Sequence, residues 1–205
     1  MLKSFLDAVM ERRARQLVTQ VEAWLPSEGP VLDLGSGTGH FAARLQRDRG
    51  LDVVTADVSD IHVVGRPPIL IGEGSLPFED GAFSCACLLF VLAYPNNPAD
   101  VLAQAARVSR GPIILVQTVH AGSVGWAWFR VREFVWTTMA FRVSKLVGYV
   151  PPDADFRMQT QRFYTAPDLR RELSAAGLRI RAERARPVLP FGALVVTAWL
   201  LERGA

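Results

Sequence analysis

The sequence predicts an α/β fold: an open, doubly wound, mostly parallel sheet with helices on both faces. Three observations carry that reading. Short apolar runs alternate with helix-spaced segments along most of the 205 residues. The run at 83–92 is almost wholly apolar, as a central strand covered on both faces must be. The first short strand passes straight into Gly35, Gly37 and Gly39 before a helix begins, which gives the chain a tight turn from strand to helix.

The elements follow in order. Residues 1–17 place Leu2, Phe5, Leu6, Val9 and Met10 at helical spacing, interrupted by Lys3, Asp7 and Glu11. This is an amphipathic helix rather than a secretory leader. Residues 16–25 continue it and stop at the Pro26–Pro30 stretch, so 1–26 form a helical N-terminal segment. Residues 31–34 are a buried strand, and 41–49 a helix with Gly50 as its C-cap. A second strand at 53–56 closes on Asp57, a third covers 69–71, and the fourth is 83–92. A helix at 98–108 starts behind an N-cap at Asn97, and a fifth strand spans 113–119. A last helix at 166–176 carries Pro167 and Asp168 in its first turn and runs into Gly177. Strands at 178–185 and 192–200 close a single domain over 1–205.

Half the residues are apolar, a fifth are charged, and the net charge is +3. Such a chain is globular, and its basic residues are dispersed rather than gathered on one stripe, which argues against a nucleic-acid-binding domain. Two cysteines exclude a disulfide framework and fit a reducing, cytoplasmic compartment. Cys85 and Cys87 are read as small core residues on opposite faces of the fourth strand, with no metal expected. No apolar run approaches the roughly 20 residues that span a bilayer.

The glycine turn opens onto a helix N-terminus whose unpaired N–H groups favour an anion or a carboxylate. About twenty residues on, Asp57 ends an apolar strand, where an acid accepts the ribose hydroxyls of an adenosine. Those two features alone fit either a dinucleotide or another adenosine ligand. A dinucleotide fingerprint wants its third glycine at position 40, where this chain has His40; the glycine falls one residue early, at Gly39.

Residues 31–39, VLDLGSGTG, resemble the first motif of class I S-adenosylmethionine-dependent methyltransferases. Thr55-Ala56-Asp57-Val58-Ser59 resembles the second. Residues 72–83, with Leu76-Pro77-Phe78, resemble the family's G-D-(spacer)-L-P-F-x-D-x-x-F segment, and Ala105-Ala106-Arg107-Val108 its E-x-x-R-V-L helix end. Phe163-Tyr164-Thr165 and the 173–178 stretch resemble its late F-Y-T and L-x-x-A-G-[FL] motifs. The resemblance covers roughly 27–119 and 160–200. It implies a Rossmann-like, seven-stranded sheet with an antiparallel last strand, and S-adenosylmethionine as cofactor. By position, Gly35, Ser36, Gly37 and Gly39 would line the methionine part, with Asp33 beneath its amino group. Asp57 and Val58 would hold the ribose, Glu73 and Gly74 would stand near the adenine, and Phe90 would close the site at the end of the fourth strand. The chain departs from the pattern at Phe83-Ser84, where the family often has F-D. It also reads Ala93-Tyr94-Pro95 where a histidine pair often follows the fourth strand, and it lacks the N-P-P-Y tetrad of amine-methylating enzymes.

Methyl transfer from a sulfonium depends mostly on positioning, and a base is required only where the acceptor must lose a proton. His120, at the end of the fifth strand, is the first candidate base and Tyr164 the second. Tyr94 after the fourth strand and His40 after the glycine turn are further candidates, and His62, in a loop read as remote from the site, is the last. The segment 121–160 breaks the strand–helix alternation. It is rich in aromatic residues with interspersed arginines, and is expected to form a lid over the acceptor. Tyr94, Trp126 and Phe129 are its expected acceptor-contacting residues. A small, apolar acceptor follows, with a membrane-surface contact for the same segment. The alternatives are an RNA or protein acceptor, or a non-catalytic cofactor-binding partner subunit. The oligomeric state is not legible.

Overall fold

A computed structural model describes residues 2–72, 74–151, 160–189 and 192–204. Seven strands form one sheet: β1 (Val31–Leu34), β2 (Val53–Asp57), β3 (Ile69–Leu70), β4 (Cys85–Leu89), β5 (Ile113–His120), β6 (Leu178–Pro187) and β7 (Leu194–Arg203). Their order is β3-β2-β1-β4-β5-β7-β6. Neighbours from β3 through β5 are parallel, and β7 is antiparallel to both β5 and β6. The strand order reverses between β1 and β4. In an open α/β sheet the crevice for a ligand lies there, beyond the carboxyl ends of the strands.

The helices are α1 (Leu2–Val21), α2 (His40–Arg49), α3 (Pro98–Val108), α4 (Gly122–Phe134), α5 (Phe141–Leu146) and α6 (Ala166–Ala175). Leu17, Val18 and Val21 of α1 and Phe41 and Leu45 of α2 pack on Val31, Val53, Ile114 and Val116. On the opposite face Leu102 of α3 and Leu169 and Leu173 of α6 pack on Leu32, Leu88, Leu115 and Trp199. The two faces therefore draw on alternate residues of each central strand, and the doubly wound α/β reading holds. The period of two also corrects the cysteine reading: residues i and i+2 share a face. Cys85 and Cys87 both point to the α1/α2 side, with Ala86 between them on the other. Both are free thiols.

Element ends differ where a local event overrides pattern. The N-terminal helical pattern becomes one helix to Val21, followed by a tighter turn at Glu22–Trp24. Strand β4 stops at Leu89 because Phe90 takes a positive φ of 63°. The closing strand is displaced to Leu194–Arg203. Between β5 and α6 the chain forms α4, a wider π-type turn at Val135–Ala140, and α5. Gly125 lets α4 touch the sheet edge: a Cβ there would sit 1.9 Å from the Ala193 carbonyl oxygen. None of the described helices is long and apolar enough to cross a membrane.

Candidate active site

The glycine turn is fixed from both sides. Gly35 has φ 74° and Gly39 φ 82°. A Cβ on Gly35 would fall 2.4 Å from Val91 Cγ2, and one on Gly39 2.4 Å from the Val64 carbonyl oxygen. Gly37 differs. Its φ is also positive, at 56°, but nothing lies within 4 Å of where its Cβ would stand. Its N–H donates to Asp57 Oδ2 at 2.8 Å, while Ser59 N–H donates to Oδ1 at 3.2 Å. The Gly35 N–H donates to the Ala56 carbonyl at 2.7 Å. The tip of β2 thus clasps the turn. His62 adds a second clasp: its Nδ1 donates to the Arg66 carbonyl at 2.6 Å, which leaves Nε2 to accept from the Ser36 hydroxyl at 2.8 Å. His62 stands against the glycine turn, contrary to the expectation of a remote loop.

Asp33 lies under this turn, 1% exposed. Neither carboxylate oxygen has a hydrogen-bond partner within the protein. Burial first, and the nearby Asp57 charge second, push its carboxyl up to about 7. Burial also raises Asp57, against the pull of the backbone N–H groups of Gly37, Ser59 and Val58. A buried carboxyl without partners is uncommon. In a cavity wall it is suited to receive a ligand's cationic or N–H donor group.

The cavity above these groups measures about 800 Å³, in the upper part of the roughly 300–1,000 Å³ range of small-molecule sites. Its floor is Asp33, the glycine turn and Asp57; Val58, Gly72, Gly74, Leu76, Val101 and Gln104 line one flank. The other flank is apolar, with Leu6 and Met10 of α1, Phe141 of α5, Tyr149 and Val150. Phe90 and Tyr94, on the segment leaving β4, stand between the two. Phe90 is the one positive-φ residue other than glycine among the described residues. A bulky side chain in that region is strained, and such strain concentrates at ligand sites.

Charges gather at the junction. The Arg13 guanidinium lies 4.4 Å from the Phe90 ring centre. Burial lowers its pKa, and Arg132 lowers it further. Tyr94 is pushed up to about 12, mainly by burial and then by Glu133, to which it is hydrogen bonded. It therefore stays protonated at neutral pH, with its hydroxyl donating to the Glu133 carboxylate. His40 ties three segments together: Nδ1 lies 3.0 Å from Thr38 Oγ1, and Nε2 3.1 Å from Asp7 Oδ1 and 3.4 Å from the Tyr149 hydroxyl.

A family model described as a methyltransferase domain matches residues 6–183. The chain belongs to this methyltransferase family. Among curated proteins it is 30% identical over 98 residues to the uncharacterized protein MJ1123 of Methanocaldococcus jannaschii; the match covers 47% of each chain. The chain thus spans about half the length of the curated relative it matches. Among solved structures the [4+2]-cyclase SpnF has a TM-score of 0.64 at 15% identity, covering 95% of this chain and 82% of that one. The proposed methyltransferase in a complex with the Haloferax volcanii Trm112 methyltransferase activator has a TM-score of 0.63 at 16% identity, covering 95% and 92%. At such identities the likeness is one of fold, and fold alone does not set the reaction.

S-adenosylmethionine, the methyl donor of this class of domain, fits the cavity. The orphaned Asp33 carboxyl suits an ammonium group, Gly37 leaves open space at the turn, and Asp57 keeps lone pairs beyond those its two backbone donors use. Of the residues expected at the cofactor, Asp33, Gly35, Ser36, Gly37, Asp57, Val58, Gly74 and Phe90 all line the cavity. Gly39 is not among the lining residues; its bare α-carbon faces the Val64 carbonyl at the start of α2. Glu73 lies outside the described residues.

Of the residues expected at the acceptor or as bases, Tyr94 lines the cavity and four others lie elsewhere. His120 is not a lining residue; its Nε2 lies 3.2 Å from the Phe163 carbonyl and its buried Nδ1 has no partner. Phe129, 1% exposed, packs edge-on against His120 and Phe163, also away from the cavity. Tyr164 is buried in the core under β4 and α6, its hydroxyl donating to the Leu92 carbonyl at 3.3 Å; burial holds its pKa up, so it is no base there. Trp126 faces outward, 43% exposed, with Arg130 over its ring. Arg13 and Tyr149 were not singled out as site residues, and His40 was named only as a candidate base. The signal for Arg13 was present: it interrupts the inward stripe of Met10, Ala14 and Leu17 on α1.

Proposed function

We propose that the protein transfers a methyl group from S-adenosylmethionine to a small, apolar acceptor. The observation that carries this reading is the single cavity that runs from the Asp33–Gly37–Asp57 floor to the apolar wall of Leu6, Met10 and Phe141. When bound, the cofactor supplies an activated methyl for in-line displacement. In this reading Asp33 holds and orients the amino group, the carboxylate of Asp57 accepts the ribose hydroxyls, and Val58 and Gly74 line the adenosine flank. Phe90 fixes the depth of the donor beside Arg13. Tyr94, whose proton is directed to Glu133, offers its hydroxyl oxygen to a donor group of the acceptor, while the α1–α5 wall excludes water. The insertion, of which 121–151 and 160 are described, acts as the lid of a single domain over 1–205; residues 152–159 lie outside the described residues.

The test has two steps. Calorimetry measures binding of S-adenosylmethionine and S-adenosylhomocysteine. A panel of apolar phenols, isoprenoid alcohols, tRNA and a protein extract is then assayed for S-adenosylhomocysteine release. Turnover confined to the apolar molecules is expected. Turnover on tRNA or protein alone overturns the acceptor assignment. Cofactor binding without turnover on any acceptor favours a non-catalytic subunit.

A further inference from the structure

The insertion carries an outward apolar stripe that its packing does not use. Val124, Trp128 and Val131 recur at helical spacing along α4, and Val135, Met139, Val143 and Leu146 continue the row through the π-type turn and α5; all seven are exposed, from 40% to 86%. The inward residues of α4 are Gly125 and Phe129. A second exposed row, Leu2, Phe5 and Val9, lies on the first turns of α1. Among the described residues, nine of the sixteen large exposed apolar side chains fall between Gly122 and Leu146, and three on this row. Scattered exposed apolar residues need no explanation; concentration on two adjoining helices does. The two rows adjoin because Leu6 and Met10 of α1 meet Phe141, Val147 and Tyr149 in one small core. That core is the apolar wall of the cavity.

Charge selects the occupant. Between Gly122 and Pro151 the cations are Arg130, Arg132, Arg142 and Lys145, and the one acid is Glu133. Arg132 and Glu133 turn inward to each other and to Thr118 and Tyr94. Arg130 and Arg142 are exposed beside the stripe, with Arg130 lying over Trp126. On α1 the acids are paired, half-exposed Asp7 with His40 and Glu11 with Arg44 and Arg47, while Lys3, Arg12 and Arg15 are exposed. A second copy would bring cations against cations. An anionic lipid surface meets both the apolar row and its basic border.

We propose that the α1 and α4–α5 surface docks flat on an anionic lipid bilayer, with the apolar mouth of the cavity facing the membrane, so that the acceptor enters from the lipid phase. This deepens the apolar-acceptor reading and rests on it for the acceptor alone. The full chain is sedimented with vesicles of phosphatidylcholine, and of phosphatidylcholine with phosphatidylglycerol, at low and high salt. Binding to the anionic vesicles, weakened by salt, is expected. Trp128→Ser with Leu146→Ser should lower the partition coefficient at least about tenfold. Arg142→Glu should lower binding to anionic vesicles and leave neutral ones unaffected. Calorimetric cofactor binding monitors folding of each variant and tests the methyl-donor site separately. Three outcomes overturn the proposal: no vesicle binding with cofactor binding intact; variants that bind vesicles like the parent; or a dimer in light scattering that the serine variant converts to monomer.

Discussion

Asp33 gives the sharpest handle on the site. Its carboxyl is raised from the ordinary 3.8 to about 7 by burial and by Asp57. Between those values the folded protein holds a proton that the unfolded chain has lost. Stability therefore falls as pH rises from about 4 to about 7, and the loss stays constant above that window. At about 1.36 kcal/mol per unit, a shift of about three units is worth up to about 4 kcal/mol. Asp33→Asn mimics the neutral acid at every pH. It should match the parent near pH 4 and exceed it by up to about 4 kcal/mol at pH 8, with each kcal/mol moving the Tm by roughly 2–4 °C. Urea unfolding at the two pH values measures this directly. Cofactor binding should respond oppositely: an ammonium group favours the carboxylate, so affinity in the parent rises with pH up to about 7 and then levels. Asp33→Asn removes that slope and binds about 10–100-fold more weakly, the weight of one charge-assisted hydrogen bond. A variant no more stable than the parent at pH 8 would falsify the assignment of a raised, unpartnered Asp33, whatever its affinity.

Three further perturbations separate structural from ligand-facing roles. Gly39→Ala forces a Cβ against the Val64 carbonyl and should cost more than about 2 kcal/mol in chemical denaturation, whereas Gly37→Ala should cost only the about 1–2 kcal/mol of a left-handed alanine while cofactor affinity drops at least tenfold. If the two variants lose stability equally, the distinction between them fails. Phe90→Gly relieves a strained φ worth about 1–3 kcal/mol yet removes the ring under Arg13; similar or higher stability with weaker cofactor binding is expected, and unchanged affinity would exclude Phe90 from the site. Arg107 donates to the Leu76 and Phe78 carbonyls and to Asp80 and Gln104, so Arg107→Lys, which keeps charge but not the fork, should lose about 2 kcal/mol in denaturant melts; a loss below about 0.5 kcal/mol would show that the fork does not hold the 76–80 loop.

What could be read from the sequence is what local chain geometry decides. Residues 31–34 and 98–108 match their predicted bounds because a buried strand before a glycine turn, and a helix opened by Asn97 and Pro98, are short-range statements. The floor residues were legible for the same reason: Gly37 and Asp57 sit at the ends of adjacent parallel strands whose spacing shows in the pattern. The acceptor side was not. His40 and Tyr149 meet across 109 positions, and Asp7 reaches His40 across 33, contacts that no local pattern announces. His120 does end β5 as expected. Its orientation was decided 43 residues away, by the Phe163 carbonyl that takes up its Nε2. Trp126 and Phe129 lie three apart on one helix, yet packing on β7 turns one out to solvent and the other into the core.

The local costs of this structure are unevenly placed, and their placement separates two kinds of specificity. The unpartnered Asp33 and the strained Phe90 both belong to the half proposed to hold the methyl donor, where a single ligand chemistry can offset them. A ligand present at about a hundred times its Kd adds roughly 2.7 kcal/mol of stability, comparable to either cost. The donor half is thereby committed: replacing its ligand by one without a cationic group would leave the Asp33 burial uncompensated. The half proposed to take the acceptor shows no such commitment. Its wall is Leu6, Met10, Phe141 and Val150, non-directional contacts that tolerate changes of shape. Its directional groups are Arg13 and Tyr94 at the junction. Substitutions along α1 and α5 should therefore change which acceptor is taken while leaving cofactor binding intact, whereas substitutions at the floor should abolish binding for every acceptor alike.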